Sequence, residues 1–305
     1  MKPLAGKVAV VAGATRGAGR GIASMLGEAG ATVYCTGRST RNKVIPEGKP
    51  ENSFVTAYRR ETIEETAEMV TRYGGTGIPV QVDHLVEDQV KALFERVKAE
   101  QGRLDILVND IWGGEEFTEW GKPFWEMDLQ KGFKMMEIAI NTHIITSRYG
   151  VPLMVEGKQG LVVEITDGDT GNYRGSFFYD IVKNMVIRLA YALSEELRPH
   201  NVAAVAVTPG FLRSEAMLEH FGVTEENWRE GVKTDEHFIA SETPFFVGRA
   251  IAALAADPNV MSKTGKALSS WGLSDDYGFT DINGERPHWG RYFAENVTGP
   301  LTPNL

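Results

Sequence analysis

An apolar run at residues 7–12 (KVAVVA) breaks straight into a glycine-rich bend, Gly13-Ala14-Thr15-Arg16-Gly17-Ala18-Gly19, and then into a helical pattern at about 19–28. This junction constrains the fold more than any other stretch. A strand that apolar is buried on both faces, as in a parallel sheet covered by helices. Glycines at the strand-to-helix bend let backbone amides approach a bound group closely, and the helix that starts there points its positive end at it. Strand-like runs recur at 31–36, 79–82, 104–109, 160–166, 202–207 and 266–270, with helical stretches at 86–100, 133–151, 177–197 and 243–256 among them. Such alternation predicts the α/β class, a doubly wound domain with a mainly parallel sheet.

No linker or internal repeat divides the 305 residues, so 1–305 is expected to be a single domain. Two excursions break the rhythm: a loop insertion at 39–60, and residues 211–241, which hold Trp228, Phe221 and Met217 and are expected to form a substrate lid. A C-terminal extension is expected at 271–305, with the tail 283–305 packing on its own domain or on a partner subunit. The net charge of −9 argues against a nucleic-acid partner. One cysteine, Cys35, excludes an intrachain disulfide and a cysteine zinc site, and the six histidines show no metal-ligand spacing, so no metal is expected. The amino-terminal residues lack a signal-like apolar stretch and no apolar run is long enough to cross a bilayer, so a cytoplasmic location without membrane contact is expected.

The bend has the spacing G-x-x-x-G-x-G, with Gly13, Gly17 and Gly19 and with Thr15 and Arg16 between them. Placed after the first strand, it reads as the pyrophosphate cradle of a Rossmann-type dinucleotide site. The second strand ends in Thr36-Gly37-Arg38-Ser39, with no carboxylate to accept two ribose hydroxyls. Arg38 and Arg16 suit a 2′-phosphate instead, which favours NADP(H) over NAD.

The glycine bend, together with Tyr179-Asp180-Ile181-Val182-Lys183, resembles the short-chain dehydrogenase/reductase family over residues of about 6–270. The resemblance implies a seven-stranded parallel sheet, a nicotinamide cofactor, hydride exchange with a small carbonyl or alcohol, and a homodimer or homotetramer. It implies that Tyr179 and Lys183 are the catalytic pair and also touch the cofactor. Asp83 corresponds to an acid that contacts adenine, with His84 beside it. Asn109, Pro209, Gly210 and Ser214 stand at further cofactor positions, as does Ser39. Two departures follow. The family's serine after the fifth strand is replaced within Ile165-Thr166-Asp167-Gly168, and its asparagine is either Asn141 or, on an ungapped match, Glu137.

Tyr179 and Lys183 are four residues apart and so share a helix face. A tyrosine hydroxyl can give the proton that a developing alkoxide needs, and a nearby ammonium is expected to lower its pKa from about 10. Asp167 would oppose that ammonium. Either Thr166 turns its hydroxyl to the substrate, or Asp167 is protonated or holds a substrate hydroxyl or amine, or Asp167 only caps a turn. Trp112, Trp120, Trp125, Phe177 and Phe178 fall near the expected crevice. The leading expectation is an NADP(H)-dependent oxidoreductase. The alternative is a cofactor-binding protein with little turnover, acting as a sensor or assembly subunit, and an epimerase on the same fold is a third class.

Overall fold

The computed structural model describes residues 2–48 and 54–297; parts of the expected loop insertion (49–53) and of the C-terminal extension (298–305) lie outside the described residues. Seven strands form one sheet: β1 (Val8–Ala12), β2 (Thr32–Gly37), β3 (Thr76–Gln81), β4 (Ile106–Asn109), β5 (Gly160–Ile165), β6 (Val202–Thr208) and β7 (Ala267–Ser269). Their order is β3-β2-β1-β4-β5-β6-β7, and every pairing is parallel. The order reverses direction between β1 and β4, which opens a crevice at the carboxyl ends of those strands, where doubly wound folds bind ligands.

The pleat divides each strand between two cores. In β1, Ala9 and Val11 join the cluster formed with helices α1 (Gly17–Glu28), α2 (Ile63–Arg72), α8 (Pro244–Ala256) and α9 (Ser270–Tyr277). Val8 and Val10 join the opposite cluster, with α3 (Glu87–Gln101), α5 (Thr142–Gly157) and α6 (Phe177–Leu197). Burial on both faces is why these strands read as continuous apolar runs. Cys35 is free and buried among them.

Several expected boundaries shift. The third strand begins at Thr76 rather than residue 79, and lies at a sheet edge, where Pro79 costs no interior ladder bond. Helix α2 was not expected. Its start is fixed by a capping box in which Thr62 accepts from the Glu65 N–H and Glu65 accepts from the Thr62 N–H. The single helix expected at 133–151 is longer and interrupted: α4 (Leu129–Met136) passes into a π-helical turn at Glu137–Asn141 and then into α5. Asp128 caps α4 by accepting from the Gln130 N–H at 2.8 Å. The 211–241 excursion contains α7 (Glu215–His220) and two short 3₁₀ turns around buried Trp228 and Phe238. Arg213, 2% exposed, stacks on Trp228 and donates to the Ser241 carbonyl. The last helix, α10 (Trp289–Asn296), packs on the same chain, with Trp289 against Phe211 and Tyr292 against His237. Among the described residues no helix is long and apolar enough to cross a membrane.

Candidate active site

The glycine bend closes tightly over the end of β4. Gly13 has φ +90°, and a Cβ there would lie 2.3 Å from the Asp110 carbonyl oxygen. A Cβ on Gly19 would lie 2.4 Å from the Gly13 carbonyl oxygen. Bare backbone is therefore required at both positions for the bend to pack against the end of β4 and on itself. The Gly17 N–H at the amino end of α1 donates to Glu215 Oε2 at 2.8 Å, and Arg20 approaches the same carboxylate at 3.7 Å. A carboxylate of α7 thus sits on the positive amino end of α1. Thr15 is buried in the bend, and Ser214 turns its hydroxyl inward to cap α7.

Beyond the end of β2 cations gather. Arg16 reaches Ser39 Oγ at 3.4 Å and Glu61 at 3.4 Å. Arg59, 7% exposed, pairs with Glu61 and with Glu219 of α7. Burial lowers the Arg16 and Lys43 pKa values, and neighbouring guanidinium groups add to that: Arg59 for Arg16, and Arg16, Arg38 and Arg59 for Lys43. Arg38 is exposed beside a groove lined also by Gln81, Asp83 and Gln89. Asp83 tethers its own turn, accepting from the Leu85 N–H at 3.0 Å. Arg59 and Lys43 were missed in the sequence because they belong to an irregular connection with no periodicity to place them.

At the opposite end of the crevice stand Tyr179 and Lys183 on α6. The Tyr179 hydroxyl donates to Asp167 Oδ2 at 2.8 Å. Burial first, and then the Asp167 charge, push the Tyr179 pKa well above 10. The expected lowering by Lys183 is therefore corrected: the carboxylate is bonded to the phenol, whereas the Lys183 ammonium sits 3.9 Å from the Trp112 ring centroid. Burial lowers the Lys183 pKa, opposed by Asp167, Glu115 and Asp110. Burial pushes Asp110, the residue after Asn109, up to about 7. Trp112 meets Tyr179 edge-on at 5.6 Å and Trp120 meets it at 5.3 Å. Trp125 is 74% exposed and packs on Phe124, away from Tyr179, while Phe178 is buried and Phe177 stacks near Phe124.

Other expected site residues are placed differently. Thr166 is buried and donates its hydroxyl to the Lys183 carbonyl at 2.8 Å, so it anchors α6 to β5 rather than facing the crevice. Asn141 and Glu137 are both exposed on the π-helical turn, where Glu137 pairs with Lys134. Ala139 and His143 face inward instead and share a small enclosed space with Asp110, Trp112 and Lys183. His84 is a core residue: its ring nitrogens meet Thr36 and Thr146, each at 2.8 Å, and burial lowers its pKa to about 3. Asn109, fully buried, donates to Glu164 at 2.8 Å and Ser147 at 3.0 Å. His143 Nδ1 meets the same Glu164 at 2.6 Å, and its Nε2 meets the Ile111 carbonyl at 3.2 Å, bracing the segment that carries Trp112. A glutamate inside the buried run GLVVEIT was the available signal for this network, since such a charge needs buried partners. Pro209 and Gly210 lie at the end of β6, where Gly210 donates to Glu242, a buried carboxyl pushed up to about 8.

Comparisons with known proteins agree with this architecture. A family model described as short chain dehydrogenase matches residues 47–222. Human dehydrogenase/reductase SDR family member 1 is 36% identical over 287 residues, covering 92% of this chain and 85% of the relative. The 3-oxoacyl-[acyl-carrier-protein] reductase FabG of Aquifex aeolicus is 30% identical, covering 70% of this chain and 76% of the relative. Among solved structures, a short chain dehydrogenase of Mycobacterium thermoresistibile superposes with a TM-score of 0.73 at 21% identity, over 94% of this chain and 92% of that one. A structure described as an NAD(P)-dependent gluconate 5-dehydrogenase of Beutenbergia cavernae, with NADP bound at low occupancy, superposes with a TM-score of 0.65 at 23% identity, over 88% and 96%.

Proposed function

The chain belongs to the short-chain dehydrogenase/reductase family, a family of oxidoreductases that use a nicotinamide cofactor, and from that premise we propose that it is an NADP(H)-dependent enzyme exchanging hydride with a small organic carbonyl or alcohol. The observation that carries the cofactor choice is the cation set beyond β2. Arg16, Arg38, Lys43 and Arg59 converge there, and β2 ends in Gly37 and exposed Arg38 without a ribose-binding acid. A 2′-phosphate would satisfy guanidinium groups that Glu61 now shares. Gly13, Gly17 and Gly19 offer the cradle for the pyrophosphate, and the bare backbone there is what a close approach requires. A solved structure of the same fold is described with NADP bound at low occupancy, which is consistent with this reading.

When bound, the nicotinamide supplies or accepts the hydride. Tyr179 is the acid/base group, positioned on α6 beside Asp167. Lys183, one turn on, supplies the ammonium of the site and is held against Trp112. In this reading Pro209, Gly210 and Ser214, on the segment that joins β6 to α7, make further cofactor contacts. Assembly as a homodimer or homotetramer and a cytoplasmic location complete the proposal. A second reading, a cofactor-binding protein with little turnover, is favoured by one observation: the Tyr179 hydroxyl is engaged by a carboxylate that makes it a weaker acid.

Titration with NADPH and NADH, followed by nicotinamide fluorescence, tests the cofactor assignment. NADPH should bind at least tenfold tighter than NADH, about 1.4 kcal/mol, and Arg38→Asp should abolish the preference. Equal affinities in the wild-type protein, or no binding of either, would overturn it.

A further inference from the structure

We propose that the site extends from carbonyls to a cationic carbon–nitrogen centre, an iminium reduced to an amine, which it prefers over a neutral ketone of the same shape, and that Asp167 is the residue that sets this preference. The inference rests on the reading of Tyr179 and Lys183 as the active site and names its substrate class.

Three observations lead to it. Asp167 follows β5 and is bonded to the reacting hydroxyl itself, at 2.8 Å from Tyr179. Hydride addition to a ketone builds negative charge on the oxygen that Tyr179 must meet, and a carboxylate at hydrogen-bond distance opposes that charge. The sign reverses for a cation: a carboxylate favours the protonated form of a bound imine, the form that accepts hydride. Next, the walls are aromatic. Trp112 and Trp120 both pack against Tyr179, at 5.6 and 5.3 Å between ring centroids. Indole faces attract cations, and the Trp112 ring already holds the Lys183 ammonium at 3.9 Å. Trp120 is 54% exposed, and among the described residues no protein cation stacks on it. Third, Lys183 faces the carboxyl groups of Asp167, Glu115 and Asp110, of which burial favours the neutral form at Glu115 and Asp110, leaving Asp167, bonded to Tyr179, as the carboxylate at the reacting hydroxyl. The nearby Arg174 guanidinium pairs with Asp180 and with the Asp167 backbone carbonyl, not its carboxylate.

The step balances without a proton from Tyr179. The iminium carbon gains a hydride, with its two electrons, from the reduced nicotinamide. The C=N π pair becomes the lone pair of the amine, and the nicotinamide is left oxidised. The product nitrogen then takes a proton from water. Tyr179, weak as an acid here, orients the nitrogen together with Asp167.

The test uses a cyclic aryl imine, dihydroisoquinoline, and a ketone of similar shape, tetralone, with their products tetrahydroisoquinoline and tetralol. The NADPH-loaded wild-type protein should bind the amine at least tenfold more tightly than the alcohol, and Asp167→Asn should remove most of the difference. Asp167→Ser should move the imine-to-ketone ratio of kcat/KM at least tenfold toward the ketone. Equal affinities, or a preference for the alcohol in the wild-type protein, would overturn the proposal even without any turnover. Failure of the wild-type protein to bind NADPH at all would instead overturn the parent reading, so the two failures are distinguishable.

Discussion

Glu215 lies where a bound pyrophosphate would compete with it, and its replacement should change stability and affinity in opposite directions. Its carboxylate accepts the Gly17 N–H at 2.8 Å and lies 3.7 Å from Arg20. A carboxylate at a helix amino terminus contributes about 0.3–1 kcal/mol, and up to about 2 kcal/mol in a partly buried setting. Glu215→Gln keeps an acceptor for Gly17 but removes the charge, so the cofactor-free protein should lose roughly 1 kcal/mol, or about 2 °C in Tm. A phosphate group would then no longer displace a charged competitor. The same ~1 kcal/mol should reappear as a roughly fivefold tighter Kd for NADPH. Thermal unfolding with and without saturating NADPH, beside a fluorescence titration, reads both effects. The affinity gain should shrink in high salt, because the competing charge is partly exposed. Unchanged or weaker NADPH binding by the variant would refute the reasoning, since it would mean that carboxylate and phosphate do not share this ground.

Gly13→Ala should cost more than ~2 kcal/mol and abolish cofactor binding, because its Cβ would stand 2.3 Å from the Asp110 carbonyl at φ +90°; urea denaturation beside the NADPH titration checks both. His84 should make the protein acid-sensitive. Its folded pKa of about 3 lies below that of a free histidine, so between about pH 6.5 and 3 the unfolded chain binds a proton that the folded chain refuses. Stability from this residue is fully present above pH 6.5 and falls as pH falls, by about 1.4 kcal/mol per pH unit. His84→Gln should be less stable at pH 7 yet show a shallower loss between pH 6 and 5, measured by equilibrium denaturation.

The doubly wound sheet was legible because every interior strand is buried on two faces, so its sequence is apolar without interruption, and the glycine bend marks the first crossing. That Tyr179 and Lys183 share one helix was legible because i,i+4 spacing survives any error in helix ends. Helix α2 was missed although Thr62 and Glu65 spell a capping box, because the preceding irregular connection hid its start. The asparagine question had no answer on a regular helix. One extra residue per turn at Glu137–Asn141 rotates Asn141 outward and brings Ala139 and His143 to the inner side, and sequence periodicity does not reveal a π-helical turn. His84 and Thr166 were assigned by neighbourhood; each is instead consumed by hydrogen bonds to its own core.

Charge sorts the two ends of the crevice. At the glycine-bend end, the carboxylates of Glu61 and Glu215 are partly exposed side chains paired with cations. At the chemical end, Asp167 is tied to Tyr179, and Lys183 answers three carboxyl groups. Ketone reduction would separate charge there, leaving a positive nicotinamide ring and a negative oxygen beside Asp167. Iminium reduction only moves one positive charge from substrate to nicotinamide. A carboxylate fixed at Asp167 in a low-dielectric cleft penalises the first process and is nearly indifferent to the second. A carboxylate at Asp167, bonded to Tyr179, therefore favours a reacting partner that brings its own positive charge.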